Sequence, residues 1–237
     1  MGISYLTYDG ESSADYGVLI SGEASFVRPQ RDRSMQSIPG RNGDLIYDNG
    51  RYPNITLQYP AFIRSGFQGN YRDFINFLNS HKSYARLTDT YASDEYRLAV
   101  PSGEMQPKTG SFNDSGKFTI EFSCKPQRFL TSGEDVITLT ADGSVENPEL
   151  TDAQPLIRVY GSGVLSIGSD TLTIGAHSQA YVDIDCMLMD AHCGAVSLNS
   201  YLTLSTNDYP VFGPGETAIT LGTGITSIEI TPRWWRL

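Results

Sequence analysis

The stretch from Lys117 to Cys124, Lys-Phe-Thr-Ile-Glu-Phe-Ser-Cys, alternates polar and apolar side chains without a break. Successive side chains of a β-strand point to opposite faces of its sheet, so this period of two predicts a strand with one buried face and one wet face. Cys124 falls on the buried face, and we interpret it as a small core residue. The abundance of Tyr (14) and Phe (10) suits such half-buried pleated surfaces.

One helical pattern precedes this strand. Four apolar residues share the i, i+3, i+4, i+7 spacing of a single helical face: Tyr71, Phe74, Ile75 and Leu78. The pattern predicts a helix over about residues 70–81, with Asn70 as its N-cap and Asp73 at the third helical position, where a carboxylate complements the helix dipole. His81 lies at the predicted end, and we interpret it as a capping side chain.

Short strand patterns fill most of the remaining sequence. In the first half, residues 85–88 and 96–100 are candidates. In the second half the candidates are residues 136–140, 156–160, 164–167, 171–174, 181–184, 202–204, 218–221 and 228–231. Gly168-Ser169-Asp170 predicts a tight hairpin between two of them, and we interpret Gly161-Ser162-Gly163 as another plain hairpin. Regularly spaced short strands with turns between them predict a β-sandwich or jelly roll.

The charge distribution divides the chain in two. The formal net charge is −10. Residues 1–130 carry 14 Lys and Arg against 14 Asp and Glu, whereas residues 131–237 carry 3 Arg and no Lys against 13 acids. This shift predicts an N-terminal domain of residues 1–130 and a C-terminal domain of residues 131–237. The acidic second half would repel nucleic acid and anionic membrane surfaces, so the sequence argues against a nucleic-acid-binding protein.

The remaining composition favours a protein made in a cytoplasm-like compartment. Three cysteines, Cys124, Cys186 and Cys193, do not form a disulfide framework. The N-terminus shows no basic region followed by an apolar run, so we see no signal peptide. No apolar run approaches the length of about 18 residues that a membrane span needs.

Catalytic and cofactor motifs are missing from the sequence. It contains no Gly-x-Ser-x-Gly elbow, no phosphate-binding Walker loop and no His-Glu-x-x-His zinc motif. The best group of metal-ligating residue types is Cys186, His192 and Cys193 with Asp183, Asp185 and Asp190 nearby. It lacks the paired spacing of a zinc site, so we favour a strand followed by a polar turn. We therefore expect no enzyme, no cofactor and no metal.

A turn-rich element lies near the middle of the first half. Residues 38–46, Ile-Pro-Gly-Arg-Asn-Gly-Asp-Leu-Ile, are followed by Gly50-Arg51-Tyr52. Pro39-Gly40, Asn42-Gly43 and Asp48-Asn49-Gly50 are turn sequences. Between them, residues 45–47 form a short strand pattern, so the element predicts a projecting hairpin.

These residues resemble a hallmark of siphophage distal tail proteins of the Dit type, in which a Pro-Gly-Arg-x-Gly stretch precedes a Gly-Arg-Tyr element. Two more stretches are similar to that family. Residues 124–130, Cys-Lys-Pro-Gln-Arg-Phe-Leu, resemble the exit from its first domain, and residues 230–237, Ile-Thr-Pro-Arg-Trp-Trp-Arg-Leu, resemble its closing strand. The order and spacing of the three stretches carry the resemblance, because no one of them is diagnostic alone.

The resemblance implies a mainly β protein at the tip of a long, non-contractile phage tail. Its N-terminal β-sandwich-type domain, with one α-helix and a projecting hairpin, would form a hexameric ring, or two such rings back to back. Its C-terminal β-sandwich, galectin-like or jelly-roll-like, would face outward. The implied partners are the tail tube protein, the tail-associated tip or lysin protein and, in some phages, a receptor-binding protein. DNA would only pass through the ring, and no membrane is among the implied partners. The implied location is the virion, after synthesis in the bacterial cytoplasm.

The neutral first half can pack against copies of itself without charge repulsion, so we place the subunit contacts there. We expect four hairpin residues in the ring interface: Arg41, Asp44, Arg51 and Tyr52, since charged hydrogen bonds and aromatic side chains suit such contacts. The competing interpretation of these residues is an ordinary turn-rich hairpin with exposed charges.

Two other functions compete with the ring. The C-terminal domain could bind saccharide on the host surface, and its candidate stacking residues are Tyr160, Tyr181, Tyr201, Tyr209, Trp234 and Trp235. Trp234 and Trp235 alternate faces on a terminal strand, so we expect at least one of them in the core. A glycosidase or wall hydrolase is the second alternative, although no recognisable catalytic constellation supports it.

Overall fold

A computed structural model describes residues 4–21, 27–110, 113–206 and 208–237. It divides the chain into two units, residues 1–128 with Leu237 and residues 129–236. The sequence placed the domain boundary at residue 130. Among the described residues, no helix is long and apolar enough to cross a membrane. The predicted fold class is confirmed, because the chain is mainly β with one α-helix among its described residues.

The first unit is built on an antiparallel sheet. Its strands are β1 (Leu6–Tyr8), β2 (Glu11–Ser12), β3 (Val18–Ile20), β4 (Arg33–Ser37), β5 (Asp44–Asp48), β6 (Ile55–Ile63), β7 (Ala85–Asp89), β8 (Glu95–Ser102), β9 (Lys108–Thr109) and β10 (Gly116–Cys124). The sheet order is β2-β1-β7-β8-β10-β6-β3, and β9 pairs with β10. Strands β4 and β5 stand apart as a two-stranded hairpin.

Strand β10 confirms the alternation from which it was predicted. Phe118, Ile120, Phe122 and Cys124 are buried. All nine residues of β10 pair with β6, from Gly116 opposite Ile63 to Cys124 opposite Ile55. Strand β6 has the same alternation, but we did not predict it. These two strands form the centre of the core of the first unit.

The helix α1 (Phe67–Ser80) starts three residues before the predicted residue 70, and the predicted N-cap is wrong. Gly66 is the N-cap, in the left-handed conformation with φ 66°. Asn70 lies inside the first turn, where its backbone N–H donates to Gly66 O at 3.1 Å. Asp73 consequently lies in the second turn, too far along to complement the helix dipole as predicted. A residue outside the helix supplies the side-chain acceptor at its start, since the N–H of the N-cap Gly66 donates to the Asp114 carboxylate at 2.9 Å.

The end of the helix matches its prediction better. His81 follows the last helical residue, and its Nδ1 lies 2.9 Å from Phe77 O. Its Nε2 lies 3.0 Å from the carboxylate of Asp9, which ties the helix end to the turn between β1 and β2. The helix buries Phe67, Phe74 and Leu78 against the sheet.

The second unit is a sandwich of two antiparallel sheets. Its strands are β12 (Ile137–Leu139), β13 (Gly143–Asn147), β14 (Leu156–Gly161), β15 (Gly163–Ile167), β16 (Asp170–Ile174), β17 (Val182–Asp185), β18 (Asp190–Cys193), β19 (Val196–Ser197), β20 (Leu202–Leu204), β21 (Gly215–Leu221) and β22 (Ile225–Thr231). One sheet has the order β12-β22-β14-β17-β18-β19 and the other β13-β21-β15-β16-β20. Both sheets contribute to one apolar core.

Two short strands close the second unit. Strand β11 (Arg128–Leu130) pairs with β23 (Trp235–Arg236), and Leu130 N–H donates to Trp234 O at 2.9 Å. Each strand segment predicted between residues 136 and 231 is a strand in the structure, with ends shifted by up to about three residues, the usual uncertainty of boundaries. Strands β13, β18 and β19 were not predicted.

One predicted hairpin is confirmed and the other is wrong. Ile167 lies opposite Asp170, so Gly168 and Ser169 form the tight turn expected there. Gly161-Ser162-Gly163 does not form a hairpin, because β14 and β15 belong to different sheets. The segment carries the chain from one sheet of the sandwich to the other. Gly161 has φ 104°, and a Cβ there would lie 2.1 Å from Gly224 O, so this close crossing requires glycine.

Candidate subunit interface

The hairpin of β4 and β5 is exposed along its whole length. Both strands have five residues, and each of these residues is exposed. The strand β5 contains the predicted segment 45–47, but its partner comes from Arg33–Ser37, which we had not predicted as a strand. The segment Arg-Ser-Met-Gln-Ser has only one apolar residue, so it carries no hydrophobic signal.

Charged contacts fix the base of the hairpin. The Asp48 carboxylate accepts hydrogen bonds from Arg31 Nε at 2.6 Å and from Arg33 Nε at 3.3 Å. The pKa of Asp48 is lowered, chiefly by the hydrogen bond that it accepts from the Gly50 amide and then by these arginines. Arg31 also lies over the ring of Tyr52, 5.3 Å from its centroid, and donates to its hydroxyl at 3.3 Å.

A second carboxylate closes the turn after β5. Asp32 accepts hydrogen bonds from Asn49 Nδ2 at 2.9 Å and from Arg51 Nε at 2.7 Å. These two bonds lower the pKa of Asp32, with Asn49 as the larger cause. The backbone is paired at the same place, since Asp32 N–H donates to Arg51 O at 2.9 Å. The orientation of the hairpin stem is thus set by side chains that lie as far apart in the sequence as Arg31 and Tyr52.

The structure places the four predicted interface residues at two ends of the hairpin. Arg41 is in the tip loop, where its N–H donates to Ile38 O at 3.1 Å, and Asp44 begins β5. Neither side chain has a hydrogen bond or ion pair with another described residue. Arg51 and Tyr52 belong to the stem, where both are already engaged with Asp32 and Arg31. The assignment of these four residues to a ring interface stays a prediction.

Sequence reasoning missed the apolar residues of the hairpin. Met35, Leu45, Ile46 and Tyr47 are 66%, 49%, 56% and 68% exposed. The available signal was the run Leu45-Ile46-Tyr47, because consecutive apolar residues on one strand must face both sides of it. An exposed run of this kind is a defect unless it has a function.

A groove of about 710 Å³ opens beside the hairpin stem within the first unit. Leu57, Tyr59 and Leu87, which are buried, form an apolar part of its lining. Five arginines also line the groove: Arg28, Arg31, Arg33, Arg97 and Arg128. Asp89 and Glu95 are the acidic side chains among its lining residues. The groove is therefore basic, in a chain whose net charge is −10.

Several polar and charged side chains that line the groove are bonded to other residues of the first unit. Tyr59 donates to the Asp89 carboxylate at 2.8 Å, and its pKa is raised, first by burial and then by Asp89. Burial lowers the pKa of Arg97, whose Nη1 donates to Pro126 O at 3.4 Å. Arg128 lies 3.4 Å from Glu95. These contacts orient three of the side chains that line the groove, Tyr59, Arg97 and Arg128.

The second unit has a polar row across one sheet. Cross-strand pairing aligns one residue from each strand: Thr138, Glu229, Arg158, Asp183, His192 and Ser197. Arg158 donates to both oxygens of Asp183, at 2.7 and 3.0 Å, and lies 4.1 Å from the ring centroid of Tyr181. These hydrogen bonds to Asp183 are the largest cause of the raised pKa of Arg158.

The candidate saccharide-stacking residues are only partly brought together. Tyr160 and Tyr181 are edge to face, 6.3 Å apart. Trp234 is buried against Phe212, which agrees with the expectation of one core tryptophan. Trp235 donates through Nε1 to Asp152 O at 2.9 Å. Tyr201 lies beside His177, with ring centroids 6.4 Å apart, and burial raises the pKa of Tyr209.

Two of the candidate metal ligands, His192 and Asp190, lie 3.3 Å apart, but two others are paired with arginines. Asp183 is paired with Arg158, and Asp185 is paired with Arg233. Cys186 is buried, and burial raises the pKa of its thiol to about 12. Over the part of the chain that the structure describes, no three His, Cys, Asp or Glu side chains converge.

Residues 13–124 match the family model of the phage tail protein RIFT-related domain. No curated protein sequence matches the chain. The crystal structure of SPP1 Dit (gp 19.1), described as a paradigm of the hub adsorption apparatus in phages that infect Gram-positive bacteria, has a similar fold. It is 17% identical, with a TM-score of 0.75 and coverage of 100% of both chains.

Two structures of the phage p2 baseplate in its activated conformation are also similar. The one with Sr is 11% identical over 96% of this chain and 98% of that chain, with a TM-score of 0.52. The one with Ca is 11% identical over 97% of both, with a TM-score of 0.55. At these identities the likeness shows the fold. With the family match, it confirms the resemblance to siphophage distal tail proteins.

Proposed function

Since residues 13–124 match the model of the phage tail protein RIFT-related domain and the whole chain has the fold of a distal tail protein, we propose that this protein is the structural hub of a long, non-contractile tail tip. In this proposal the first units of six copies of the chain form a ring beneath the tail tube. The hub joins the tube to the tail-associated tip or lysin protein, and in some phages it carries receptor-binding proteins. DNA passes through the ring during infection.

The exposed hairpin is the observation that carries the proposal. A two-stranded hairpin is marginally stable in water by itself, and this one leaves four large apolar side chains uncovered. Such a surface is typical of a protein that is buried in an assembly. The chain up to residue 130 has equal numbers of basic and acidic residues, so copies of the first unit can pack together without net repulsion.

The second unit fits a role on the outside of the ring. Residues 131–237 carry a net charge of −10, from 3 Arg and 13 acids. Six such units in close contact would repel each other, and separation at the periphery relieves that repulsion. The tail-tip partners and receptor-binding proteins are therefore proposed to bind at outward surfaces of this unit, while the tube contacts the ring.

We also propose that the protein is not an enzyme. The side chains most suited to chemistry in the second unit, Asp183 and Asp185, are held by Arg158 and Arg233. Incubation with purified bacterial cell wall tests this part, with release of soluble sugar as the readout. Turnover that is lost on changing a single carboxylate would overturn it.

The mass of the purified protein in solution tests the ring. Light scattering after size exclusion, at two concentrations, is expected to show a species near six times 26.0 kDa, about 156 kDa. Negative-stain images of that species should show rings. A protein that stays at 26.0 kDa at both concentrations would contradict a self-assembling hub.

Saccharide binding by the second unit is the alternative function. Tyr160 and Tyr181, 6.3 Å apart beside Arg158, are the observation that favours it, because aromatic faces stack on sugars and charged groups bind their hydroxyls. Glycan-array binding that Tyr181→Ala abolishes would support this function. Absence of binding at millimolar sugar would exclude it.

A further inference from the structure

Three of the five arginines that line the groove of the first unit are held by carboxylates of the same unit. Arg31 and Arg33 both contact the Asp48 carboxylate, with their Nε atoms 2.6 and 3.3 Å from its Oδ2. Arg128 Nη1 lies 3.4 Å from Glu95 Oε2. These guanidinium groups therefore have partners within the chain.

The other two arginines, Arg97 and Arg28, form no ion pair with any residue that the structure describes. Arg97 is half-buried, and within the described chain its only hydrogen bond runs from Nη1 to Pro126 O at 3.4 Å. Burial lowers the pKa of Arg97, and the charge of Arg128 acts in the same direction. Arg28 is exposed. A guanidinium that is partly removed from water without a countercharge is costly, so a carboxylate supplied by a ligand would stabilise it.

The Asp89 carboxylate also lines the groove, but it is bonded to other groups. Its Oδ2 accepts from the Tyr59 hydroxyl at 2.8 Å. Its Oδ1 accepts the backbone N–H groups of Tyr91 and Ala92, at 2.9 and 3.1 Å. Asp89 is thus not the direct ion-pair partner of Arg97.

An apolar surface lies in the same groove. Leu57, Tyr59 and Leu87 contribute to the lining and are buried in the single chain. The groove volume of about 710 Å³ is within the range of roughly 300–1,000 Å³ that is typical of ligand pockets. The groove can therefore hold an apolar side chain as well as the carboxylates that its arginines attract.

We propose that this groove binds an extended acidic segment of the tail protein that contacts the ring. Carboxylates of the segment pair with Arg97 and Arg28. One aliphatic or aromatic side chain of the segment contacts Leu57 and Leu87. The inference rests on the proposed hub function, because that function places a second tail protein against the first unit, and it names the chemistry of their contact.

Charge complementarity favours a protein segment over nucleic acid. A nucleic acid has a phosphate at each nucleotide and needs a continuous basic track, whereas these arginines surround one groove in a chain whose net charge is −10. Asp89 and Glu95 in the lining would repel closely spaced phosphates. A peptide can place carboxylates at the arginines, where charge-assisted hydrogen bonds are strong, and uncharged residues beside the two acids.

Fluorescence anisotropy with labelled peptides tests the binding. The probe is the octapeptide Asp-Glu-Leu-Glu-Asp-Phe-Glu-Asp with an N-terminal fluorescein, and we expect the native protein to bind it more weakly as salt is added. The amide counterpart, Asn-Gln-Leu-Gln-Asn-Phe-Gln-Asn, has the same shape without the charge and should bind at least about tenfold more weakly. An acidic peptide with Ser in place of Leu and Phe should bind about fivefold more weakly, because it lacks the apolar contact.

Arg97→Gln locates the site on the protein. It removes the charge but keeps an amide that can donate to Pro126 O, and it should weaken binding of the acidic peptide at least about tenfold. The midpoint of thermal unfolding, followed by circular dichroism, should stay the same or rise, because the variant removes a half-buried cation without a countercharge.

Two exposed positions complete the set of variants. Arg28→Gln should weaken binding about threefold, and its exposure means that unfolding does not explain the loss. Arg72→Gln is the matched control, because it removes the same charge from α1 of the same unit, where Arg72 is 73% exposed. The control should bind the acidic peptide as tightly as the native chain.

Three results would contradict the acidic segment. Equal binding of the acidic peptide and its amide counterpart, or equal binding by Arg97→Gln and Arg72→Gln, would remove the two arginines without ion pairs from the site. Tighter binding of a fluorescein-labelled oligodeoxythymidine than of the acidic peptide would assign the groove to nucleic acid. Binding by single chains but not by the ring would assign the groove to a neighbouring copy.

The mass in solution separates this inference from the hub itself. A ring of six 26.0 kDa chains that does not bind the acidic peptide would overturn the inference and leave the hub intact. A chain that stays at 26.0 kDa but binds the peptide through Arg97 would contradict the self-assembling hub and retain the groove as a site for acidic peptides.

Discussion

The guanidinium of Arg233 donates to both oxygens of the Asp185 carboxylate, with Nη1 2.7 Å from Oδ1 and Nη2 2.9 Å from Oδ2. The side chain of Asp185 is 7% exposed. Its Oδ1 also accepts the backbone N–H groups of Met187 and Leu188, both at 3.0 Å. One buried carboxylate thus joins the turn between β17 and β18 to the segment that follows β22, and so connects two distant parts of the second unit.

We expect Asp185→Asn to destabilise the second unit by about 3 kcal/mol, because it leaves a partly buried guanidinium without its countercharge. Both tryptophans, Trp234 and Trp235, are in this unit, so urea unfolding followed by tryptophan fluorescence reports on it. Asp208→Asn, at an exposed position, is the control and should change the free energy of unfolding by less than about 0.5 kcal/mol. Equal midpoints for the two variants would contradict a stabilising ion pair.

The same carboxylate predicts a loss of stability in acid. Burial is the largest single effect on the pKa of Asp185 and acts to raise it. The hydrogen bonds from Arg233, Leu188 and Met187 and the charge of Arg233 together outweigh burial, so the folded pKa lies below the ordinary value. The contribution is therefore complete above the unfolded pKa of about 3.9 and is lost as the pH falls through the folded pKa. The difference in unfolding free energy between the native chain and Asp185→Asn should shrink below about pH 4. A constant difference down to pH 2 would count against this linkage.

Gly161→Ala should unfold the second unit or destabilise it by more than about 3 kcal/mol. A Cβ at this position would lie 2.1 Å from Gly224 O, and Gly161 and Gly224 both lie where the chain crosses between the two sheets. Gly194→Ala is the control, because Gly194 also has a positive φ (58°) but has open space around it. The control is expected to cost about 1 kcal/mol. Thermal unfolding followed by tryptophan fluorescence measures both.

One thiol of three should react in the folded chain. Burial raises the pKa of both Cys124 and Cys186 to about 12, so neither forms an appreciable thiolate at pH 8. Cys193 is partly exposed. Titration with a disulfide reagent should therefore detect Cys193 alone, and all three cysteines after unfolding in guanidinium. Rapid reaction of two or more thiols in the native state would show that a core is open.

Arg41→Ala should weaken ring assembly by up to about fivefold, because an exposed charge at the tip of the hairpin contributes modestly to a contact. Arg72→Ala is the control, since Arg72 lies on the exposed side of α1 and is 73% exposed. Assembly is followed by light scattering across a dilution series. A ring whose concentration dependence is the same for both variants would remove Arg41 from the interface.

The sequence predicted the elements whose signal is local. The alternation from Phe118 to Cys124 was sufficient to identify β10, because the side chains of a strand sample both faces whatever its partners are. The helix pattern located α1, but its start was misplaced. Its cap uses the backbone of Gly66 and the distant Asp114, and no local sequence rule connects these two residues.

Strand β6 contains a proline that its neighbouring strand β3 makes tolerable. Pro60 lies within it, and proline in a central strand removes a ladder donor. The strand tolerates it because β3 pairs only with residues 61–63 and ends before Pro60, while β10 pairs along the whole of β6. The cost of the missing donor is therefore set by the length of β3, which the sequence around Pro60 does not reveal.

By itself the sequence determined the mainly β class, the charge difference between its halves and the resemblance to distal tail proteins, since all three depend on residue types and their order. Only the tertiary structure decided which strands pair, that Gly161 crosses between sheets, and that Met35 lies opposite Ile46 on one face of a hairpin. These outcomes depend on contacts between residues far apart in the chain. Their energies come from burial and register, and the same local pattern is compatible with several registers until packing selects one.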